Sequence, residues 1–142
     1  MNKKEFDEMV LKAERKNPIW FELERDPPAD ISEIDEVESI LNVRFPGEYK
    51  DFLLSYGAGY FAFMLVLGVK TETQWNVIRH ASLLPSNFLP AADNASGDYY
   101  GFVVRGGECD RSVAFWDHET GSIQENVFPN FYEMLSTKAL MP

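Results

Sequence analysis

Apolar positions recur at helical spacing in the first half of the chain and at strand spacing through most of the second. After Asn2, a residue suited to capping, Phe6, Met9, Val10 and Ala13 fall at i, i+3, i+4 and i+7; the stripe predicts an amphipathic helix that Asn17-Pro18 stops. Ile19 to Leu23 reads as either a short edge strand or a packed loop, and Pro27-Pro28 predicts a linker. A second helix is expected from Ser32 to about Asn42, with Ile34, Val37, Ile40 and Leu41 on one face and acids in its first turns, where the macrodipole favours them. Pro46 suits the opening turn of a third, in which Tyr49, Phe52, Leu53 and Tyr56 repeat the spacing until Gly57.

Tyr60 to Leu67 is apolar on both alternating faces, which predicts a central strand covered on each side, with a buried two-turn helix as the competing reading. Glu72 to Leu84 reads as a helix ended by Pro85. Phe88–Ala92, Tyr99–Val104, Ser112–Trp116 and Ser122–Glu125 then read as strands, separated by turn signals at 93–98, 105–108 and 117–121. Phe128, Phe131, Tyr132 and Leu135 form a last helical stripe, with Pro129 in its first turn. The order predicts one α+β domain over residues 1–142: a mainly antiparallel sheet packed with N-terminal helices and a C-terminal helix.

Composition fits that reading. The 142 residues are 45% apolar, with 11 Phe, 6 Tyr and 3 Trp, enough for a full core. The charged N-terminus has no apolar stretch of the secretory kind, and the apolar run at 60–67 is far shorter than the roughly 20 residues of a membrane helix. A cytoplasmic protein without a membrane partner is expected. The lone Cys109 excludes an internal disulfide.

Charge changes the picture more. Thirteen Lys and Arg against 23 Asp and Glu leave a net charge of −10, and the acids concentrate in two blocks. Residues 22–38 hold eight acids and one base; residues 93–125 hold seven acids with only Arg105 and Arg111. Phosphate binding needs clustered cations, so a nucleic-acid ligand is disfavoured and a basic protein partner favoured.

Catalytic and cofactor chemistry find no constellation. Gly57-Ala58-Gly59 lies after a helix and before a strand, the reverse of a phosphate-cradling order, so it reads as a helix stop. His80 and His118 are isolated, no metal set has ligand spacing, and the acidic loop around Asp93, Asp98 and Asp110 lacks the calcium-loop pattern. Glu108 and Asp110 beside Cys109 oppose a reactive thiolate. No enzyme activity, metal or cofactor is expected.

From Ile31 onward the chain carries a recognisable succession: the acidic helix, Val43-Arg44-Phe45-Pro46, then Tyr49, Phe52, Leu53, Tyr56 and Gly57 in a Pro-x-x-Tyr-x-x-Phe-Leu helix with a Tyr-Gly end. This resembles the SUKH superfamily, which includes the fungal cell-wall assembly regulator and many bacterial immunity proteins, over most of residues 30–136. The resemblance implies an α+β protein-binding domain. Its bacterial members commonly neutralise a cognate toxin, often a nuclease, whose phosphate-binding surface is basic; the fungal-type alternative is a cytosolic regulatory or scaffold protein with several partners. The expected contacts are the acids and exposed aromatic of the 93–119 region: Asp93, Asp98, Tyr99, Asp110, Asp117 and Glu119. A monomer or weak homodimer is expected.

Overall fold

The computed structural model describes residues 1–141. Helix α1 (Lys3–Lys16) opens with a capping box: Asn2 Oδ1 accepts from Glu5 N–H at 2.9 Å and Glu5 Oε1 accepts from Asn2 N–H at 3.1 Å. Phe6 and Val10 are the stripe residues it buries. Pro18–Phe21 forms a 3-10 turn, which decides between strand and loop at 19–23. Helix α2 (Ile31–Leu41) starts one residue before Ser32; Asp30 is its cap residue, and Glu33 Oε1 accepts from Asp30 N–H. Ile34 and Val37 are buried, whereas Ile40 is 57% exposed.

Helix α3 (Gly47–Tyr56) shows what the Pro-Tyr-Phe-Leu spacing does. Tyr49 is fully buried and its hydroxyl donates to Leu67 O at 2.6 Å, Phe52 and Leu53 fill the core, and Tyr56 donates to Asp7 Oδ1 at 2.5 Å. Gly57 ends the helix at φ +77°, ψ −179°, a mirror-extended conformation rather than a left-handed helical one. A Cβ there would lie 2.4 Å from Asp26 O and 2.6 Å from Pro27 O. The chain therefore passes straight from helix to sheet beneath the 26–27 linker.

The predicted strand at 60–67 is a tight hairpin instead. Strand β1 (Gly59–Phe61) turns at Ala62 and Phe63 into β2 (Met64–Val66), with Ala62 at φ +50°. Two-residue hairpins favour Asn or Gly at such φ values, and an unbroken apolar run carries no such signal. The predicted helix at 72–84 is likewise only α4 (Val77–Ala81), begun by Asn76, whose side chain accepts from Arg79 N–H while its amide donates to Thr71 O and Thr73 O to hold the preceding loop.

Strands β3 (Phe88–Asp93), β4 (Tyr99–Arg105), β6 (Val113–Trp116) and β7 (Ile123–Phe128) follow the predicted meander, and a two-residue β5 (Glu108–Cys109) folds back on β4. β7 runs three residues past its predicted end and takes Phe128 from the last helical stripe. Helix α5 (Phe131–Lys138) starts after Pro129 with Asn130 as its cap. All pairings between these strands are antiparallel, in the order β1-β2-β3-β4-β6-β7. Beyond β1, the sheet edge is partly met by residues 24–26, where Tyr60 N–H donates to Glu24 O and Asp26 N–H to Ala58 O.

Helices α1, α3 and α5 share an aromatic core with one sheet face: Phe6 stacks on Tyr132, Phe52 meets Phe61 edge-on, and Tyr49 lies against Phe102 and Phe131. On the other face a smaller cluster forms, in which Leu84, Tyr99, Trp116 and Ile123 cover the buried Phe88, Val103 and Ala114. That outer face positions the candidate site.

Candidate protein-binding surface

Strand alternation and cross-strand register place the outer-face residues. Asp93, Tyr99 and Trp116 are direct neighbours across β3, β4 and β6, and Ile123 on β7 completes the row. The loops following β3 and β6 lie at this same end, because successive turns of a meander alternate between the two ends of a sheet. Both are built from side chains that fold back on their own backbone. Asp93 Oδ1 accepts from Ala95 N–H at 2.7 Å, Asn94 Oδ1 accepts from Ser96 and Asp98 N–H, and Asp117 Oδ1 accepts from Glu119 N–H at 2.8 Å.

The two loops are clasped together. Asp98 Oδ1 accepts from His118 N–H at 3.0 Å and from His118 Nδ1 at 2.7 Å, and Asn94 Nδ2 donates to Asp98 Oδ2. The His118 ring lies against Gly97, where a Cβ would stand 3.1 Å from Nδ1 and φ is +93°. The clasp shifts both groups in the sense of an ion pair: bonds from His118 hold the Asp98 carboxyl below the usual carboxylate range, and Asp98 raises His118 above the ordinary imidazole value.

Ligand atoms of Asp98, Asp117 and His118 lie within 4.8 Å of one another, a spacing compatible with a metal set. Asp98 Oδ1 already accepts two hydrogen bonds from His118, however, so the same atoms serve the clasp. Tyr99 is fixed by His80: its hydroxyl lies 2.7 Å from Nδ1, and Nε2 lies 2.9 Å from Gln74 O. The carbonyl can only accept, so Nε2 donates there, and in the neutral ring Nδ1 accepts from the Tyr99 hydroxyl. Burial, followed by the nearby Asp93 charge, pushes the Tyr99 phenol up.

Five of the six expected contact residues thus meet at one end: Asp93, Asp98, Tyr99, Asp117 and Glu119. Asp110 does not join them. It sits past the β4–β5 turn at the opposite end, about 20 Å away by the rise of β4, with Arg105 Nε 3.4 Å from its carboxylate. The alternation of meander turns carried that separation in the sequence. Trp116, which the sequence reading does not place among the contacts, is half-buried on the outer face in register with Tyr99, its indole N–H without a hydrogen-bond partner among the described residues. Cys109 is pushed up to about 12, first by burial and then by Asp110, Glu38 and Glu108, which favours the protonated thiol at neutral pH.

The first acidic block is used otherwise. Asp26 is buried, accepts from Trp75 Nε1 at 3.0 Å and has its carboxyl raised chiefly by desolvation. Glu33 accepts from Lys70 at 2.9 Å, and Glu38 accepts from Phe45 N–H at 2.7 Å. No helix among the described residues is long and apolar enough to cross a membrane.

A protein from Pseudomonas syringae pv. tomato of known crystal structure superimposes with a TM-score of 0.69 over 96% of this chain and 99% of its own, at 18% identity, which shows a shared fold. No curated protein matches the sequence. The model of the SUKH_6 family, described as SMI1-KNR4 cell-wall, matches residues 31–135. That match spans the capped acidic helix, the Pro46–Gly57 segment, the meander and most of the closing helix. The chain belongs to the SUKH superfamily.

Proposed function

We propose that this protein is a non-enzymatic binding domain of the immunity type, which neutralises a cognate bacterial toxin in the cytoplasm by direct stoichiometric contact. The observation that carries the reading is the convergence of Asp93, Asp98, Asp117 and Glu119 around the half-buried Tyr99 and Trp116. A rim of carboxylates steers a cationic partner during encounter, and aromatic side chains at its centre supply the desolvated contact that slows release. A nuclease-type toxin must present a basic surface to hold phosphate, so the complementary acidic face both finds that surface and covers it. The raised Cys109 thiol and the hydrogen bonds that engage His80 and His118 support a binding role for this face over a covalent one.

Co-expression with the toxin domain encoded beside the gene tests the proposal. Rescue of growth together with a stoichiometric complex in size-exclusion chromatography is expected; intact toxicity and no complex would refute it. The family description also refers to the cell wall, which favours a second reading, a regulatory or scaffold module. That reading predicts several partners in a pull-down and a growth defect on deletion in cells that carry no toxin.

A further inference from the structure

At the end of the sheet away from the acidic loops, between α2, α4 and the start of β3, lies an apolar groove of about 300 Å³, walled by Leu41, Ile78, Leu84, Phe88, Leu89 and Val104. We propose that this groove is an anchor site for a protein segment that inserts a large apolar side chain flanked by lysine or arginine. The inference rests on the protein-binding reading above and adds to it the chemistry of the segment recognised.

Three observations converge. The walls come from α2, from α4 and the loop after it, and from the paired strands β3 and β4, so the groove is held by rigid elements rather than by one loop. One wall is shared with the outer-face cluster, because Leu84 and Phe88 pack with Tyr99 and Trp116, while Leu41, Ile78, Leu89 and Val104 belong to the main core. Its neighbour supplies the charge. Val43 also lines a polar hollow of about 540 Å³ that holds three carboxylates, Asp35, Glu38 and Glu108, against two cations, Arg44 and Lys50. Lys50 stands 3.7 Å from Glu38 and Arg44 3.9 Å from Glu108, which leaves Asp35 without an ion-pair partner among the described residues. An apolar slot beside an uncompensated carboxylate, on a protein of net charge −10, complements an apolar residue set among cations. A second copy of this chain is a poor occupant, since docking would bring two strongly acidic surfaces together.

The probe is a short synthetic peptide with one Phe between pairs of Lys, titrated into the full-length protein while the methyl resonances of Ile78, Leu84 and Val104 are followed. Saturable shifts of these methyls are expected, with affinity at least ~10-fold weaker when Ala replaces the Phe or Glu replaces the lysines. Ser86 lines the groove and is exposed, so Ser86→Trp should block it and weaken binding to the same extent without changing the melting temperature. Ser82→Trp, from the α4 side, serves if that variant misfolds. Absence of methyl shifts, equal binding of the Glu peptide, or undiminished binding to a folded blocked variant would overturn the proposal. Shifts that grow with protein concentration alone would overturn it in favour of self-association. Toxin rescue measured in parallel separates the two readings, since rescue with no peptide binding refutes the groove and leaves the immunity proposal standing.

Discussion

Residues 22–38 and residues 93–125 are alike as strings of acids, eight with one base and seven with two, yet the fold uses them in opposite ways. In the first block the carboxylates that matter face the protein: Asp26 holds the Trp75 indole, Glu33 closes the start of α2 and pairs with Lys70, and Glu38 receives the Phe45 amide. In the second, Asp93, Asp98 and Asp117 shape and join the turns around Tyr99 and Trp116 from half-buried positions, with Glu119 exposed beside them. A count of charges cannot separate the two uses. The difference lies in what the donors belong to: Asp26, Glu33 and Glu38 tie separate elements to one another, whereas Asp93 and Asp117 are satisfied by the next amides and Asp98 by the neighbouring turn.

The largest effect tests the junction beneath the first block. Gly57→Val places a β-branched side chain at φ +77° against the Asp26 and Pro27 carbonyls, and a loss of about 3–5 kcal/mol is expected in urea unfolding; a loss under about 1 kcal/mol would mean that the linker is not packed there. Next, Asp26→Ala should cost about 1–3 kcal/mol by stranding the Trp75 N–H. Asp26→Asn keeps an acceptor and should cost less. Because burial raises the Asp26 carboxyl above its ordinary value of 3.8, the folded state binds that proton more tightly, and the group's contribution falls as pH rises from 3.8 through the raised value. The Asn variant should lack that slope in a melting-temperature series.

The clasp of the second block has the reverse signature. His118 is raised above 6.5, so its contribution is complete below 6.5 and is lost as pH climbs through the folded value; Asp98 is lowered, so its contribution is present above 3.8 and is lost as pH falls through its folded value. His118→Gln should flatten both limbs, and unchanged limbs would show that the clasp does not form in solution. The smallest effect on stability is expected from Asp117→Lys with Glu119→Lys, about 1 kcal/mol or less for the lost bond from the Glu119 amide to Asp117, although this pair should slow association with a cationic partner. Glu22→Lys with Glu24→Lys, in the first block, should leave association unchanged.

Much of the fold is readable in the order of residues because its elements are locally consistent. The Pro46–Gly57 spacing predicts α3 and its burial, and the turn clusters at 93–98 and 117–121 predict the meander. The hairpin at 59–66 is not readable in this way. Its turn is made of Ala62 and Phe63 and is held from outside, by the Trp20 ring against Phe63 and by the Phe63 amide donating to Ala139 O. The short α4 is similar, since Asn76 ties the preceding loop by side-chain bonds to the Thr71 and Thr73 carbonyls that no helical period reveals. In the candidate site the loops were visible and their clasp was not: Asp98 and His118 are twenty residues apart, and only the sheet brings them together. Asp110 was grouped with them by sequence proximity, and alternation of turns sends it to the other end.

The most direct test of the candidate binding surface is the ionic-strength dependence of the association rate with a toxin domain of the kind proposed as its partner, measured by stopped flow for the wild type and for Asp117→Lys with Glu119→Lys. Steering by the second acidic block predicts a rate that falls steeply with salt in the wild type and a slower, flatter dependence in the variant. Superimposable salt curves for two folded proteins would contradict it.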